Sequence, residues 1–137
     1  YWNLEIPRET LARAHRNSSA WVGAHDEAGR LIATARAVGD GGRFAYVLDV
    51  AVAPGWQGRG LGSAIAAAGV AHAFDVLHLD SIWAEAPAAN APSVQILRSL
   101  GMQETGIGSD ETFLREPTHY IQFRLDRHDR MLPATPA

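Results

Sequence analysis

The chain has 137 residues, of which 47% are hydrophobic and 20% are charged, as is typical of one globular domain that buries a core. It contains no cysteine, which excludes disulfides, thiolate metal sites and a cysteine nucleophile, and favours a cytoplasmic location. The net charge of −3 lacks the basic excess of a nucleic-acid-binding surface, and no apolar run is long enough for a transmembrane helix. Neither nucleic acid nor membrane is therefore expected as a partner.

The first part of the chain predicts one helix followed by three strands. A proline at the start of an apolar periodicity predicts a helix over residues 7–17. Residues 20–25 and 31–38 are predicted strands, joined by a hairpin turn at residues 26–30. Residues 44–52 are almost entirely apolar, which is typical of a central strand covered on both faces.

The second part predicts alternating helices and strands. Helices are expected at residues 61–74 and 93–100, strands at 81–86, 102–107 and 118–125, and a loop at 108–117. One domain would span residues 1–130, with a frayed tail at 131–137. The strand–helix–strand order over residues 44–86 requires parallel strands joined by a right-handed crossover. The predicted fold class is therefore α/β, with a central mixed sheet flanked by helices.

Three alternating glycines, Gly58, Gly60 and Gly62, lie between the third predicted strand and the long helix. Glycine lets the backbone approach a ligand closely, because no Cβ stands in the way. The N–H groups at a helix start have no internal partner, and the helix dipole adds partial positive charge there. This junction therefore predicts an anion site, with a phosphate or pyrophosphate as the expected ligand.

The spacing of the glycines distinguishes between kinds of phosphate loop. A Walker loop requires a lysine, and the chain contains none; a dinucleotide fingerprint requires G-x-G-x-x-G and a later acidic residue, which are also absent. The run Q-G-R-G-L-G at residues 57–62, after V-A-P at 52–54, resembles the [QR]-x-x-G-x-[GA] signature of the GCN5-related N-acetyltransferase (GNAT) superfamily. A tight turn that needs glycine for geometry alone is the structural alternative.

A second segment carries the same resemblance. Residues 90–102, N-A-P-S-V-Q-I-L-R-S-L-G-M, are similar to the later superfamily motif N-x-x-[AS]-x-x-L-Y-x-x-x-G-F, with Leu97 in place of the Tyr and Met102 in place of the Phe. The resemblance covers about residues 20–125. The predicted order of elements resembles the superfamily fold with its first strand missing. That would leave a sheet edge open for pairing, which makes a homodimer an expected assembly to test.

The resemblance implies acetyl-CoA as cosubstrate. The pyrophosphate would bind backbone N–H groups at the glycine junction, the pantetheine arm would pair like an added strand with the end of the third strand, and the two central strands would splay apart to admit it. The implied cofactor-binding residues are Val50, Ala51, Val52, Gln57, Gly58, Arg59, Gly60, Leu61, Gly62, Ser63, Asn90 and Ser93. A solvent-facing Arg59 and a helix-capping Asn90 remain open alternatives.

The implied reaction is transfer of the acetyl group to a primary amine, on a small molecule or a peptide, by direct attack. A lysine-like amine has a pKa of about 10.4 and is mostly protonated at neutral pH, so a positioned base assists. Glu85 has the offset from Asn90 of the glutamate that serves as base in ribosomal-protein Nα-acetyltransferases. Its apolar strand predicts a desolvated carboxylate. An exposed carboxylate at a strand end is the alternative.

Three further residues are candidates for a part in the chemistry. Tyr46 occupies the position where histone-type members carry a glutamate, and it would relay a proton, line the pocket or simply pack. Asp49, the sole charge in residues 44–52, lies on the opposite face from Tyr46 unless a bulge intervenes, and would either pair structurally or touch substrate. Leu97 cannot protonate a departing thiolate as the motif's Tyr would, so water or another residue protonates it, no acid is needed, or efficient turnover is lost. Tyr120 is a candidate substitute, with core or pocket packing as its alternative.

Two other functions remain open at this point. One is a non-catalytic acyl-CoA-binding or sensor module that kept the pyrophosphate loop, and the other is a phosphate-binding α/β domain of another sort. The six histidines show no metal-ligand spacing, so no metal site is expected.

Overall fold

The computed structural model describes residues 6–130, apart from the side chain of Asp49. The elements, in chain order, are α1 (Arg8–Arg16), β1 (Ala20–His25), β2 (Leu31–Gly39), β3 (Phe44–Val52), α2 (Leu61–Ala71), β4 (Ser81–Pro87), α3 (Ala91–Ser99), β5 (Gln103–Phe113), β6 (Glu116–Asp126) and α4 (Arg127–Arg130). A short 3₁₀ turn, Pro54–Trp56, precedes α2, and a π-helical segment, His72–Val76, follows it. The predicted tail at 131–137 lies outside the described residues. Within those residues no helix has the length and apolar character needed to cross a membrane.

The strands form one mixed sheet in the order β1-β2-β3-β4-β6-β5. The pair β3–β4 is parallel, because the crossover through α2 returns the chain to the same end of the sheet. The other neighbouring pairs are antiparallel. The predicted mixed sheet flanked by helices is confirmed, and β1 forms one of its edges among the described residues.

The parallel pair is unusually short. Residues 44–47 of β3 pair with residues 81–84 of β4, and the pairing stops there. Beyond that point β3 follows β2 as far as Val52, while β4 follows β6 as far as Pro87. Two central strands that keep opposite neighbours must separate, so a gap opens in the middle of the sheet.

The core lies on the face of the sheet that α2 and α3 cover. Its most deeply buried side chains are Ile82, Phe123 and Leu125, from β4 and β6. Val70 and Phe74 pack onto it from α2 and the π-helical segment, and the apolar side of α3 packs onto the same cluster. Because side chains alternate along a strand, the residues between the core positions point to the opposite face. That opposite face is therefore available for polar and aromatic side chains.

Two predictions about strands are wrong. The strand β3 is not covered on both faces: Ala45 is buried, but Phe44 is 42% exposed, and the later part of β3 borders the gap. Residues 108–117 are not a loop, since they belong to the β5–β6 hairpin, whose turn places Leu114 and Arg115 at positive φ. The first part of β5 was predicted as a strand, but its polar residues 108–113 carry no strand pattern, and the partner β6 supplies their ordering hydrogen bonds instead.

Candidate active site

A cavity of about 280 Å³ occupies the gap where β3 and β4 separate. Its walls come from β3, the end of β4, α2, α3 and the β5–β6 hairpin. Most of the lining is apolar, and the polar side chains among it belong to Glu85, Asn90, Ser93 and Tyr120. An apolar slot with a few converging polar groups is the usual form of a small-molecule site.

The glycine junction lies at the N-terminal end of α2, next to this gap. Gly58 and Gly60 have φ of +76° and +80°, a backbone region that strongly favours glycine. Gly60 is the N-cap of α2, and no side chain caps that helix. The Gln57 side chain donates from Nε2 to the Val52 carbonyl at 3.2 Å, which ties the loop to the end of β3. The first N–H groups of α2, at Leu61, Gly62 and Ser63, thus have no side-chain cap. None of residues 57–63 lines the cavity itself, and the junction adjoins it through Gly62, which packs beside the lining residue Ile96.

Gly62 serves a different purpose from the other two glycines. A Cβ at this position would lie 3.1 Å from Cδ1 of Ile96 in α3. Its small size therefore lets α2 and α3 approach each other beside the cavity. Turn geometry accounts for Gly58 and Gly60, and helix packing accounts for Gly62, so the simple-turn alternative explains part of the motif.

For two residues of the predicted cofactor-binding set, the structure shows the structural alternative given above: a helix cap for Asn90 and an exposed position for Arg59. Asn90 accepts a hydrogen bond from the Ser93 N–H on its Oδ1 at 3.4 Å and caps α3, while both residues also line the cavity. Arg59 is exposed on the loop, with its guanidinium carbon 4.8 Å from the centre of the Trp56 ring. Val50 lines the cavity, whereas Ala51 and Val52 pair with Thr34 and Ala33 of β2.

Glu85 lines the cavity from β4, but its environment differs from the predicted one. The side chain is exposed, so the prediction of a desolvated carboxylate is wrong. The apolar residues Ala84 and Ala86 face the core, while Glu85 alternates onto the open face. There Gln122 donates from Nε2 to Oε1 of Glu85 at 3.0 Å. This bond fixes one carboxylate oxygen and leaves Oε2 to accept a proton.

Tyr46 lies on the same face of the sheet as Glu85 but not among the residues that line the cavity. Its ring stacks on that of Trp83, with centroids 6.4 Å apart and an interplanar angle of 23°. The Arg124 guanidinium lies 4.8 Å from the centre of the same Trp83 ring. The structure therefore assigns Tyr46 a packing contact and does not bring it together with the cavity.

The strand β3 carries a backbone bulge near Asp49. Thr34 pairs with Ala51 and Arg36 pairs with Leu48, so β3 has one more residue than β2 over this stretch. The extra residue lies at Asp49 or Val50. The side chain of Asp49 lies outside what the structure describes, so its predicted face and role stay a prediction.

The hairpin contributes Tyr120 and Phe113 to the cavity. Burial, followed by the negative charges of Glu111 and Glu85, raises the pKa of Tyr120 above 10.0. The phenol therefore keeps its proton throughout the neutral range and can donate it. Phe113 was missed because residues 108–117 were predicted to be a loop. Leu97 also lines the cavity and is buried in the core, where it offers no proton.

One group of potential metal ligands exists among residues 6–130. The ligand atoms of Asp126, His128 and Asp129 lie within 4.8 Å of one another, near the opposite end of β4 from Glu85. Oδ1 of Asp126 already pairs with Arg124 Nε at 2.7 Å. None of the three lines the cavity. The absence of a metal cofactor stays a prediction.

The comparison with solved structures identifies the fold. A spermidine N-acetyltransferase from Vibrio cholerae, in complex with CoA and spermine, superposes with a TM-score of 0.78 at 20% identity, covering 96% of this chain and 83% of the other. A dodecameric structure of spermidine N-acetyltransferase from the same organism gives 0.74 at 20% identity, covering 90% and 74%. A chimera of that enzyme, SpeG, with hSSAT gives 0.74 at 19% identity, covering 90% and 77%. At this identity the likeness establishes the shared fold.

The comparison of sequences identifies the family. A search of curated proteins finds no match to the chain. The model of the Acetyltransferase (GNAT) family matches residues 1–102 of the 137, a span that includes the glycine junction and the α3 motif. The chain therefore belongs to the GNAT acetyltransferase family and is an acyltransferase of that fold.

Proposed function

We propose that this protein transfers the acetyl group of acetyl-CoA to a primary amine by direct attack of the amine on the thioester. The observation that carries the proposal is a juxtaposition. Glu85 lies on the wall of the gap between β3 and β4, and the uncapped N-terminus of α2 adjoins that gap through Gly62, which packs beside the lining residue Ile96. This arrangement supplies an anion site, an open strand edge and a proton acceptor around one cavity.

The acetyl-CoA would lie along the gap. Its diphosphate would accept hydrogen bonds from the backbone N–H groups of Leu61, Gly62 and Ser63, where the helix dipole favours negative charge. The amide groups of its pantetheine arm would pair with the edge of β3 that β4 no longer occupies. A backbone N–H near Val52 would face the thioester oxygen and stabilise its developing negative charge. Arg59 would add charge near a phosphate after leaving its stack on Trp56.

The acceptor amine has to lose a proton before or during attack. An amine of pKa about 10.4 is neutral in only about one molecule in two thousand at neutral pH, which adds about 4–5 kcal/mol to the apparent barrier. Glu85 would remove that proton at Oε2, directly or through one water, while Gln122 holds Oε1. The amine nitrogen forms a bond with the acetyl carbon, the carbon–sulfur bond breaks, and CoA leaves as a thiolate.

The departing thiolate needs a proton to become CoA. Its pKa of about 8.5 makes it a tolerable leaving group near neutral pH without a strong acid. Tyr120 would supply a proton from the hairpin, because its phenol stays protonated and lines the cavity that Leu97 also lines. This assignment gives the chain a proton donor on a different element from the one in the family motif.

Glu85→Gln tests the proposal. We expect the variant to bind acetyl-CoA like the wild type in calorimetry but to lose about 10²-fold or more in kcat/KM, measured by thiol release with a panel of primary amines. Glu27→Gln, an exposed substitution in the β1–β2 turn, is the matched control and should change neither quantity. Full turnover by Glu85→Gln would show that another group is the base.

A second candidate function is a binding module that recognises acyl-CoA without catalysis. The observation that favours it is Leu97, which is buried where the family motif has a proton-donating tyrosine. This candidate predicts saturable acetyl-CoA binding in calorimetry and no thiol release with any amine. It also predicts that Glu85→Gln leaves the binding constant and any biological effect unchanged.

A further inference from the structure

We infer that Glu111 selects acceptors with a second positive charge, so that the preferred acceptor is an aliphatic chain with an amine at each end. This inference rests on the proposed function. It assigns the reacting amine to Glu85 and the distal ammonium to Glu111, with the methylene chain lying across the hairpin wall between them.

The register of the sheet places both carboxylates on the same face. Glu85 of β4 pairs with Gln122, and Glu111 of β5 pairs with Thr118. Directly paired residues of antiparallel strands share a face, and Thr118, Tyr120 and Gln122 alternate onto one face of β6. Glu85 and Glu111 therefore lie on either side of β6, with the Tyr120 position midway between them along that strand.

Electrostatics agrees with this placement. Both carboxylates act on the same phenol, since after burial the charges of Glu111 and Glu85 raise the pKa of Tyr120. Arg124 is the cation nearest along this face of β6, and it pairs with Asp126 and stacks on Trp83. Arg115 lies at the hairpin turn, and Glu116 shares the face by pairing with Phe113. Glu111 and Glu116 do not line the cavity themselves, but with Glu85 they give this face of the sheet beside it an excess of negative charge.

The apolar surface between the two carboxylates is the ring of Tyr120, which lines the cavity. Phe113 also lines the cavity, and it lies two residues beyond Glu111 on the same face, on the side away from Glu85. The four-residue step from Thr118 to Gln122 spans about 13 Å at a rise of about 3.3 Å per residue, and β4 and β5 are two strand spacings of about 4.8 Å apart. The backbones at Glu85 and Glu111 are therefore about 16 Å apart, a span that their side chains shorten as they reach toward Tyr120. An aliphatic diamine fits these features, because its two ammonium groups meet the carboxylates and its methylenes pack on the Tyr120 ring. A monoamine of equal length offers an ammonium group to only one of the two carboxylates.

The test compares 1,8-diaminooctane with octylamine on the CoA-saturated protein. Calorimetry gives the dissociation constant of each amine, and thiol release from acetyl-CoA gives turnover of each. We expect the wild type to bind the diamine about three- to fivefold more tightly at low ionic strength, as suits a partly exposed charge pair, and Glu111→Gln to abolish this preference. Asp110→Asn removes the same charge one residue away, on the opposite face through its pairing with His119, and should retain the preference.

Each outcome separates this inference from the proposed function. Turnover of octylamine without any diamine preference, or a preference unchanged in Glu111→Gln, overturns the role of Glu111 and leaves acetyl transfer standing. A diamine preference that Glu111→Gln removes, in a protein that releases no thiol with either amine, supports the recognition site and overturns catalysis. Equal loss of preference in Asp110→Asn and Glu111→Gln would overturn Glu111 as the specific determinant.

Discussion

At the scale of single residues, the same side chain often has a local structural duty and a place in the cavity wall. Asn90 caps α3 and lines the cavity, and Leu97 packs in the core and lines it too. Glu85 is held by Gln122 through one oxygen. The residues of the proposed site are thus positioned by ordinary folding contacts, and no separate scaffold is needed to orient them.

Asp40 is a carboxylate whose hydrogen bonds among the described residues go only to backbone groups two to four residues away. Its Oδ1 accepts hydrogen bonds from the backbone N–H groups of Gly42, Arg43 and Phe44 at 2.9, 2.8 and 3.2 Å, closing the connection between β2 and β3. These bonds, that of Arg43 foremost, lower the pKa of Asp40 below 3.8 because they stabilise its charged form. The ionised carboxylate therefore stabilises the folded state.

We predict that Asp40→Ala lowers the midpoint of thermal unfolding at pH 7 and that its deficit shrinks in acid. Because the pKa is lowered on folding, the stabilisation is complete above about pH 4 and is lost as the pH falls through the folded-state value. Thermal unfolding of the wild type and the variant between about pH 7 and pH 2 measures the difference between their midpoints. Glu27→Ala, an exposed change in the neighbouring β1–β2 turn, serves as the control. A difference in midpoint that stayed constant down to pH 2 would contradict the stabilising role of the ionised Asp40 carboxylate.

Among the elements, α2 contains glycines whose backbone conformations differ, so they are present for different physical reasons. Gly60 adopts a left-handed conformation, whereas Gly69 lies inside the helix, where a Cβ would meet no atom within 4 Å. The same substitution should therefore have opposite effects at the two positions. This contrast separates the glycine needed by the junction from one that only weakens the helix.

We predict that Gly60→Ala reduces the free energy of unfolding by about 1–2 kcal/mol, the cost of left-handed backbone with a Cβ. Gly69→Ala should increase it by about 0.5–1 kcal/mol, because alanine has less unfolded-state entropy and a higher helix propensity. Urea unfolding of both variants measures the difference. Destabilisation of similar size at both positions would mean that α2 tolerates no added methyl group and that the conformational argument is wrong.

At the scale of the whole molecule, one core holds together a sheet that is partly divided. The strands β3 and β4 share only a short ladder, so the two halves of the sheet are joined chiefly by side chains that α2 and α3 cover. Ile82 is at the centre of that joint and has no exposed surface. We expect the protein to unfold as one cooperative unit in spite of the gap.

Ile82→Val should lower the free energy of unfolding by about 0.5–1.5 kcal/mol, the usual cost of one buried methylene, with an unchanged denaturant slope. Ile107→Val is the matched control, because Ile107 is 72% exposed and its change should stay within about 0.5 kcal/mol. Fluorescence and circular dichroism during urea unfolding should give coincident transitions. Two separate transitions would show that the halves of the sheet unfold independently.

The family, the order of the elements and the glycine junction could all be predicted from the amino-acid sequence. These features are local: a run of apolar residues, a proline or a left-handed glycine imposes its geometry wherever the chain goes, so residues 20–25 and 44–52 were bounded correctly. Even the capping of α3 by Asn90 follows from neighbours three residues apart.

Four features followed only from the pairing of strands in three dimensions. They are the exposure of Glu85, the packing of Tyr46 on Trp83, the bulge in β3, and the part of the cavity wall that the β5–β6 hairpin forms. Each depends on which strand becomes a neighbour. The polar segment of β5 becomes a strand because β6 offers its hydrogen bonds, and Glu85 escapes burial because nothing among the described residues covers its face of β4 as α3 covers the other. Pairing partners lie tens of residues away along the chain, so neither composition nor periodicity within one segment specifies them.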